Sequence, residues 1–412
     1  MKIIYLHQYY TDPSMSGGTR SYEMARRLVM NGHEVHFITS WRSDTPHKNW
    51  FVTEESGFTV HWLPVSYSNH MNFNQRLKAF LHYAVKAGPR ARQIGGDVIF
   101  ATSTPLTIAI PGVFASQKLN VPMVFEVRDL WPEIPIAFGI LKNPLFVFAS
   151  RWLERYAYRH AERIIALSPG MKEGVVNAGY PADRIKVIPN GADLYSFGPD
   201  KRDSSRFFAD KPELINKRLI VYGGTFGLIN GVSYAVEMAT HLANIAPDVA
   251  VVLVGDGVEK EKVTNLAKQK NLLNHNVFIY PQVSKSEMPH LLASADIALS
   301  LFVNLEAMWS NSANKFFDGL ASGTAIAINY GGWQAELLQK EECGIVLSAF
   351  DHERAATQIS DFLSNEIRLK SAAVSARALA AKSFSRDLLA VEFETVLNEA
   401  IKGNRKNDKT IN

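Results

Sequence analysis

Along this chain, apolar residues gather in short β-like runs that alternate with amphipathic stretches of helical period. The runs KIIYLHQ, HEVHFIT, DVIFAT, VPMVFEV, RIIAL and IKVIPN fill the first half, and RLIVYGG, VAVVLVGDG, NVFIYPQ, DIALSLFV, TAIAINY and GIVLS the second. Apolar runs of about four to eight residues read as strands buried on both faces, and their alternation with helices predicts parallel sheets in an α/β protein. Between them lie segments such as SYEMARRLVMNG, where Asn31-Gly32 makes a helix stop. Periodicity lapses in PNGADLYSFGPDKRDSS, where Pro, Gly and Asp accumulate. That lapse divides the chain into an N-terminal domain, 1–195, and a C-terminal domain, 196–385, with residues 195–205 as a hinge. A last helix at 386–402 has Leu388, Leu389, Val391, Phe393, Val396 and Leu397 to bury and is free to pack back on the N-terminal domain, while 403–412 reads as a disordered tail.

Two of the runs end alike. IIYLHQYYTDPSMSGGTRSYEMARRL carries Gly17 and Gly18 ahead of a helix, and LIVYGGTFGLINGVSYAVEMATHLA carries Gly223, Gly224, Gly227 and Gly231. A strand, a glycine turn and a helix N-terminus together favour an anion, because free backbone N–H groups and the positive helix end converge there. One such pair of glycines is also what a tight turn needs. Two units in one chain predict two Rossmann-like domains facing each other across a cleft, with a phosphate-bearing ligand between them.

Composition narrows the class. At 412 residues the chain exceeds one core and suits two domains. Its single cysteine, Cys343, excludes an internal disulfide framework and a zinc cluster and fits a reducing compartment. MKIIYLHQYY lacks the apolar core of a signal peptide, and no stretch reaches the roughly 18 apolar residues of a spanning helix, so a cytoplasmic protein is expected. Positive charge is concentrated: between Glu55 and Asp97 there is no acidic residue, while Arg76, Lys78, Lys86, Arg90 and Arg92 stand among Leu77, Phe80, Leu81, Tyr83 and Val85. A second segment, LKNPLFVFASRWLERYAYRHAER, joins Phe146, Phe148 and Trp152 to Arg151, Arg155, Arg159 and Arg163. Both read either as amphipathic helices with solvated basic faces or as surfaces for an anionic bilayer. Nucleic acid is not expected, since no reading motif accompanies the charge.

The ordered set GGTRSYEMARRLVMNGHEVHFIT, VFEVRDLWPE, RIIALSPGMKE, IKVIPNGADLYSF, IVYGGTFG, VLVGDGVEKEKV, NVFIYPQVSKSEMPHLLASADIALS and NKFFDGLASGTAIAINYGG resembles the retaining glycosyltransferases of family 4. The likeness spans nearly the whole chain and is nearest to bacterial enzymes of O-antigen and capsule assembly, L-fucosamine transferases among them. It implies the GT-B fold, a nucleotide-sugar donor with uridine as the expected base, a polyprenyl-diphosphate-linked glycan as acceptor, and work at the inner face of the plasma membrane. It implies no cofactor and no tightly bound metal, and the chain has no Asp-x-Asp string or His cluster to suggest one.

The resemblance also nominates residues. Gly17, Gly18 and Thr19 in the first loop and Gly224 and Thr225 in the second are candidate N–H donors to the donor's phosphates. The Arg and Lys that usually follow the second loop's glycines are absent, so Lys315 and Arg128 become the candidates for charge on the diphosphate, Lys315 being alternatively a solvated residue beside a helix start. The family's Glu-x7-Glu pair appears as Ser310 and Asp318, with Asn314 between them and Asp318 placed to accept from ribose hydroxyls. Asp129, after Arg128, either orients the acceptor hydroxyl or steadies developing positive charge at the anomeric carbon, or else caps the Trp131-Pro132 turn, and Asp256 either touches the nucleotide or caps the next helix. The missing basic pair and the serine leave two rivals open, a non-catalytic partner subunit of the same fold and a sugar-nucleotide epimerase.

Overall fold

The computed structural model describes residues 1–15, 18–67, 71–198 and 203–410, the side chains of residues 73 and 405–410 excepted. The chain divides into two compact units, Met1–Pro189 with Asp387–Asn412, and Asn190–Arg386. The division falls before residue 195 because the chain leaves the first core directly after Ile188, which is fully buried there. Residues 199–202, within the segment read as a hinge, lie outside the described residues.

The first unit is built on β1 (Lys2–Leu6), β2 (Glu34–Trp41), β3 (Phe51–Glu55), β4 (Phe58–Pro64), β5 (Val98–Thr102), β6 (Met123–Val127), β7 (Arg163–Ala166) and β8 (Ile185–Val187). They lie in the order β3-β4-β2-β1-β5-β6-β7-β8. Ile3 of β1 sits opposite Val35 on one side and Val98 on the other. Every residue of β5 and β6 is buried, as expected of strands covered on both faces.

The expectation of purely parallel pairing needs one correction: β3 runs antiparallel to β4. The two are joined through Ser56 and Gly57, both at positive φ (47° and 85°), the geometry of a tight two-residue hairpin. Neither strand was among the runs read from the sequence: β4 interrupts its apolar residues with Thr59 and His61, and β3 is an edge strand with an exposed centre.

The second unit carries β9 (Arg218–Gly223), β10 (Val249–Val254), β11 (Val277–Tyr280), β12 (Ile297–Ser300), β13 (Ala325–Ile328) and β14 (Gly344–Val346) in the order β11-β10-β9-β12-β13-β14. All of these pairs are parallel. Strand order reverses between β1 and β5 in the first unit and between β9 and β12 in the second. Such switch points open a crevice outside the carboxyl ends of the strands, and that is where ligands of this architecture bind.

The last helix, Arg386–Thr410, closes the first unit's core with Leu389, Phe393, Val396, Leu397 and Ala400. The Phe393 ring lies 4.7 Å from Phe100 and 6.4 Å from Tyr5. Arg27 to Asp387 (2.6 Å) and His33 to Glu394 (2.8 Å) tie its rim. The helix also runs through positions assigned to a disordered tail, and at Gly403 an added Cβ would stand 2.7 Å from Glu162 Oε1. Phe393→Ala should destabilise the first unit by about 3–5 kcal/mol. Denaturant unfolding should show its transition moved and that of the second unit unchanged.

Candidate functional site

In the second unit the turn after β9 is laid directly on the turn after β10. Gly224 N–H donates to the Val254 carbonyl (2.9 Å) and Phe226 N–H to the Asp256 carbonyl (2.8 Å). A Cβ on Gly255 would overlap the Gly224 carbonyl, and Gly255 and Gly257 both hold positive φ. The Thr225 carbonyl accepts from the Tyr222 hydroxyl (2.7 Å). Asp256, one of the two-way candidates, accepts from the Gly257 N–H (2.8 Å) and stands 3.9 Å from Lys260, contacts that belong to the local turn.

Lys315 runs its stem across this turn: its Cδ would lie 3.1 Å from a Cβ on Gly224. The ammonium sits 5.1 Å from the Tyr222 ring and 5.0 Å from the Phe302 ring. Among the described residues no carboxylate pairs with it, and burial lowers its pKa to about 8. It belongs to the first turn of the Asn314–Ser322 helix, whose N-cap, Ala313, supplies no side-chain acceptor. The amide oxygen of Asn314 is buried there without a hydrogen-bond partner. An ammonium without a carboxylate partner and uncapped N–H groups at one helix end are chemically suited to an anion.

One turn along that helix, Asp318 is buried and accepts from Lys285 Nζ at 2.5 Å. Its other oxygen is buried with no partner, so one acceptor stays available rather than two. Lys285 was not anticipated; it arrives from the loop after β11, 33 residues away, with no local motif to mark it. Ser310 directly precedes Asn311, whose carbonyl accepts from the Trp333 indole (2.8 Å) and whose side chain reaches back to the Met308 carbonyl (2.7 Å).

In the first unit the matching turn follows β1. Gly17 lies outside the described residues. The Gly18 carbonyl accepts from Thr11 (3.0 Å), and Thr19 is the N-cap of the Arg20–Met30 helix, its hydroxyl buried without a partner. Arg20 is fully engaged: it pairs with Glu126 (2.9 Å) and donates to the Ile188 and Pro189 carbonyls. Glu126 also accepts from Thr102 (2.6 Å), which makes it a structural carboxylate.

Arg128 and Asp129 follow β6. The Arg128 N–H donates to Ser103 Oγ (2.9 Å) and its guanidinium to His7 Nε2 (3.4 Å). Asp129 accepts from Thr104 (3.1 Å), and burial raises its pKa against the opposing pull of Arg128 and that hydrogen bond. His7, left out of the sequence-based site, thus joins it. Burial, then Arg128, then Arg42 push its pKa well below the ordinary value, so the ring is neutral. Among the described residues no group of three or more His, Cys, Asp or Glu could hold a metal ion.

Known proteins resemble both units. Residues 17–191 match the Glycosyl transferase 4-like domain and residues 203–379 the Glycosyl transferases group 1 domain. Alpha-maltose-1-phosphate synthase of Mycolicibacterium smegmatis is 26% identical, covering 67% of this chain and 72% of that one. WcaI of Escherichia coli K12, assigned to glycosyl transfer in colanic acid biosynthesis, is 24% identical over 73% of this chain and 76% of that one. The UDP-Gal:alpha-D-GlcNAc-diphosphoundecaprenol alpha-1,3-galactosyltransferase of Escherichia coli is 23% identical over 62% and 63%. Among solved structures, Anabaena HepE in complex with UDP and glucose superposes with a TM-score of 0.70 at 18% identity, over 97% of this chain and all of that one. WaaG, a glycosyltransferase involved in lipopolysaccharide biosynthesis, gives 0.64 at 17% identity over 92% and 95%.

The depressed Lys315 pKa has a direct readout. With all lysines ¹³C-methylated, one resonance should titrate near pH 8 and vanish in Lys315→Arg. Because only the ammonium attracts an anion, binding at this helix end should be full below pH 8 and weaken as pH rises through it.

Proposed function

The chain belongs to the family 4-like, group 1 glycosyltransferases of GT-B fold, and on that premise we propose that it moves a sugar, with retention, from a UDP-linked donor to a lipid-linked glycan of a cell-surface polysaccharide. The observation that carries this reading is Lys315, an ammonium without a carboxylate partner at an uncapped helix N-terminus beside the Gly224-Thr225 turn. Departure of a nucleoside diphosphate leaves charge on its phosphate oxygens, and N–H groups and a cation already in place stabilise it without reorganising. In this scheme Lys315 and the N–H groups of Thr225 and of the helix start at Asn314 hold the diphosphate; the Gly224 N–H, expected to join them, is already spent on the Val254 carbonyl. Asp318, with one oxygen on Lys285, accepts from ribose, and Asp129, beside Arg128, orients the acceptor hydroxyl. Retention needs no protein nucleophile if the leaving phosphate takes the hydroxyl proton on the same face.

Relatives support the substrate classes. HepE was crystallised with UDP and glucose, and the galactosyltransferase acts on a sugar carried by diphosphoundecaprenol. The missing basic pair and Ser310 are the features that favour a non-catalytic subunit. Purified chain alone, supplied with UDP-sugars and a diphosphate-linked acceptor, should form product. Lys315→Ala should then lower turnover by about tenfold or more, about 1.4 kcal/mol in the barrier. No transfer and no donor hydrolysis by the wild type would favour the subunit reading.

A lipid-linked acceptor calls for a bilayer contact, and no helix among the described residues is long and apolar enough to cross a membrane. Of the two basic segments, the Pro144–Arg159 helix is the better surface. It exposes Leu145, Phe148 (73%) and Trp152 (58%) beside exposed Arg151, Arg155 and Arg159. The Phe73–Ile94 helix exposes Leu81 and Val85, but its Arg90 is bonded to His61 and Gln93 and its Arg76 to the Met71 carbonyl. The protein should bind anionic vesicles and not neutral ones, and release as salt shortens the screening length from about 10 Å at 0.1 M to about 3 Å at 1 M. Serine at Phe148 and Trp152 should abolish binding. Indifference of the wild type to anionic vesicles at low salt would leave this helix a solvated face.

A further inference from the structure

The carboxyl edge of the first sheet gathers positive charge that the protein does not neutralise. His7 follows β1, Arg42 follows β2 and Arg128 follows β6, and parallel pairing brings all three strand ends to one edge. Arg42 lies over the Tyr9 ring at 5.8 Å, and Arg128 bonds the His7 ring. Neither guanidinium has a carboxylate within ion-pair distance among the described residues. The contrast with Arg20 is instructive, since that side chain, in the same unit, is saturated by Glu126 and two carbonyls.

The second observation is an orphaned donor. A guanidinium can only donate, so His7 Nε2 accepts from Arg128 and the ring proton is on Nδ1. That Nδ1 is buried with no hydrogen-bond partner, on a side chain 4% exposed. The adjoining Gln8 side chain is wholly buried, and both its polar atoms also lack partners. Buried polar groups are normally satisfied, and the open His7 donor beside two cations without carboxylates marks a place for a ligand with acceptor oxygens. Asp129, the nearby carboxylate, is bonded to Thr104 and leaves the cluster with net positive charge.

We propose that His7, Arg42 and Arg128 form a binding subsite for an anionic group of the acceptor, a phosphate or a sugar carboxylate. It rests on the reading of the first unit as the acceptor half. The two guanidiniums supply charge and forked donors, and the neutral His7 supplies a directed N–H. The subsite selects acceptors that carry an anion near the hydroxyl to be glycosylated.

The test uses the full chain carrying Lys315→Met, which disables the phosphate site of the second unit. Inorganic pyrophosphate and glucuronate are titrated separately by calorimetry, with the His7 ring followed by ¹⁵N NMR. At least one anion should bind and shift Nδ1, and adding Arg42→Gln should weaken that binding by about tenfold or more. Pyrophosphate as the binder identifies the acceptor's phosphates as the source, and glucuronate identifies an acidic sugar. Arg42→Lys, which keeps the charge and loses the fork, should fall between and covers the case in which the glutamine variant fails to fold. The proposal is overturned if neither anion binds, or if binding ignores Arg42 and the His7 ring is unmoved. Nucleoside diphosphate binding to the wild type is measured in parallel. Its absence alongside an Arg42-dependent pyrophosphate site would fault the donor reading and leave this subsite standing.

Discussion

A parallel strand cannot return to its neighbour by a hairpin, so each crossover carries the chain back to the starting edge and leaves every carboxyl end at the other. In the first unit that edge receives His7, Arg42, Ser103, Thr104, Arg128 and Asp129 from β1, β2, β5 and β6. In the second it receives the Gly223-Gly224 turn, Gly255 and Phe302 from β9, β10 and β12. No local motif has to hold these residues together, because the sheet does. The β3–β4 hairpin lies at the far edge of its sheet, away from that sheet's switch point between β1 and β5.

Charge is handled in two distinct ways within this frame. Where an ionic group is structural it is saturated, as Arg20 and Glu126 are between a helix, two strands and the chain leaving β8. Removing one partner of such a buried pair is costly, since the other is left uncompensated. Where a cation is left without a carboxylate, Lys315 lies over the Tyr222 and Phe302 rings, Arg42 over Tyr9, and Arg128 bonds the His7 ring. Such departures from the pairing that stabilises the rest are where a functional site is to be sought.

The parts legible in the sequence are those written locally. Apolar runs located every strand of the second sheet, and the glycines before Thr19 and after Val221 marked both turns. Lys315 could be nominated because its helix start lies in the same stretch as the Asp318 motif. Lys285 and Arg42 were not, for their importance comes from neighbours 33 residues away in one case and across the sheet in the other. His7 looked like any polar residue ending a strand, and only its orphaned Nδ1 distinguishes it. Strands β3 and β4 escaped because polar positions break the apolar run that betrays a strand buried on both faces.

The closing helix makes the first unit discontinuous: its core is completed by Phe393, Val396 and Leu397, encoded after the whole of the second unit. On the ribosome the second unit, a contiguous segment, therefore has all its strands available while the first still lacks the wedge against Tyr5 and Phe100. Until that helix has been made, the first sheet carries apolar surface that its own earlier strands and helices do not cover.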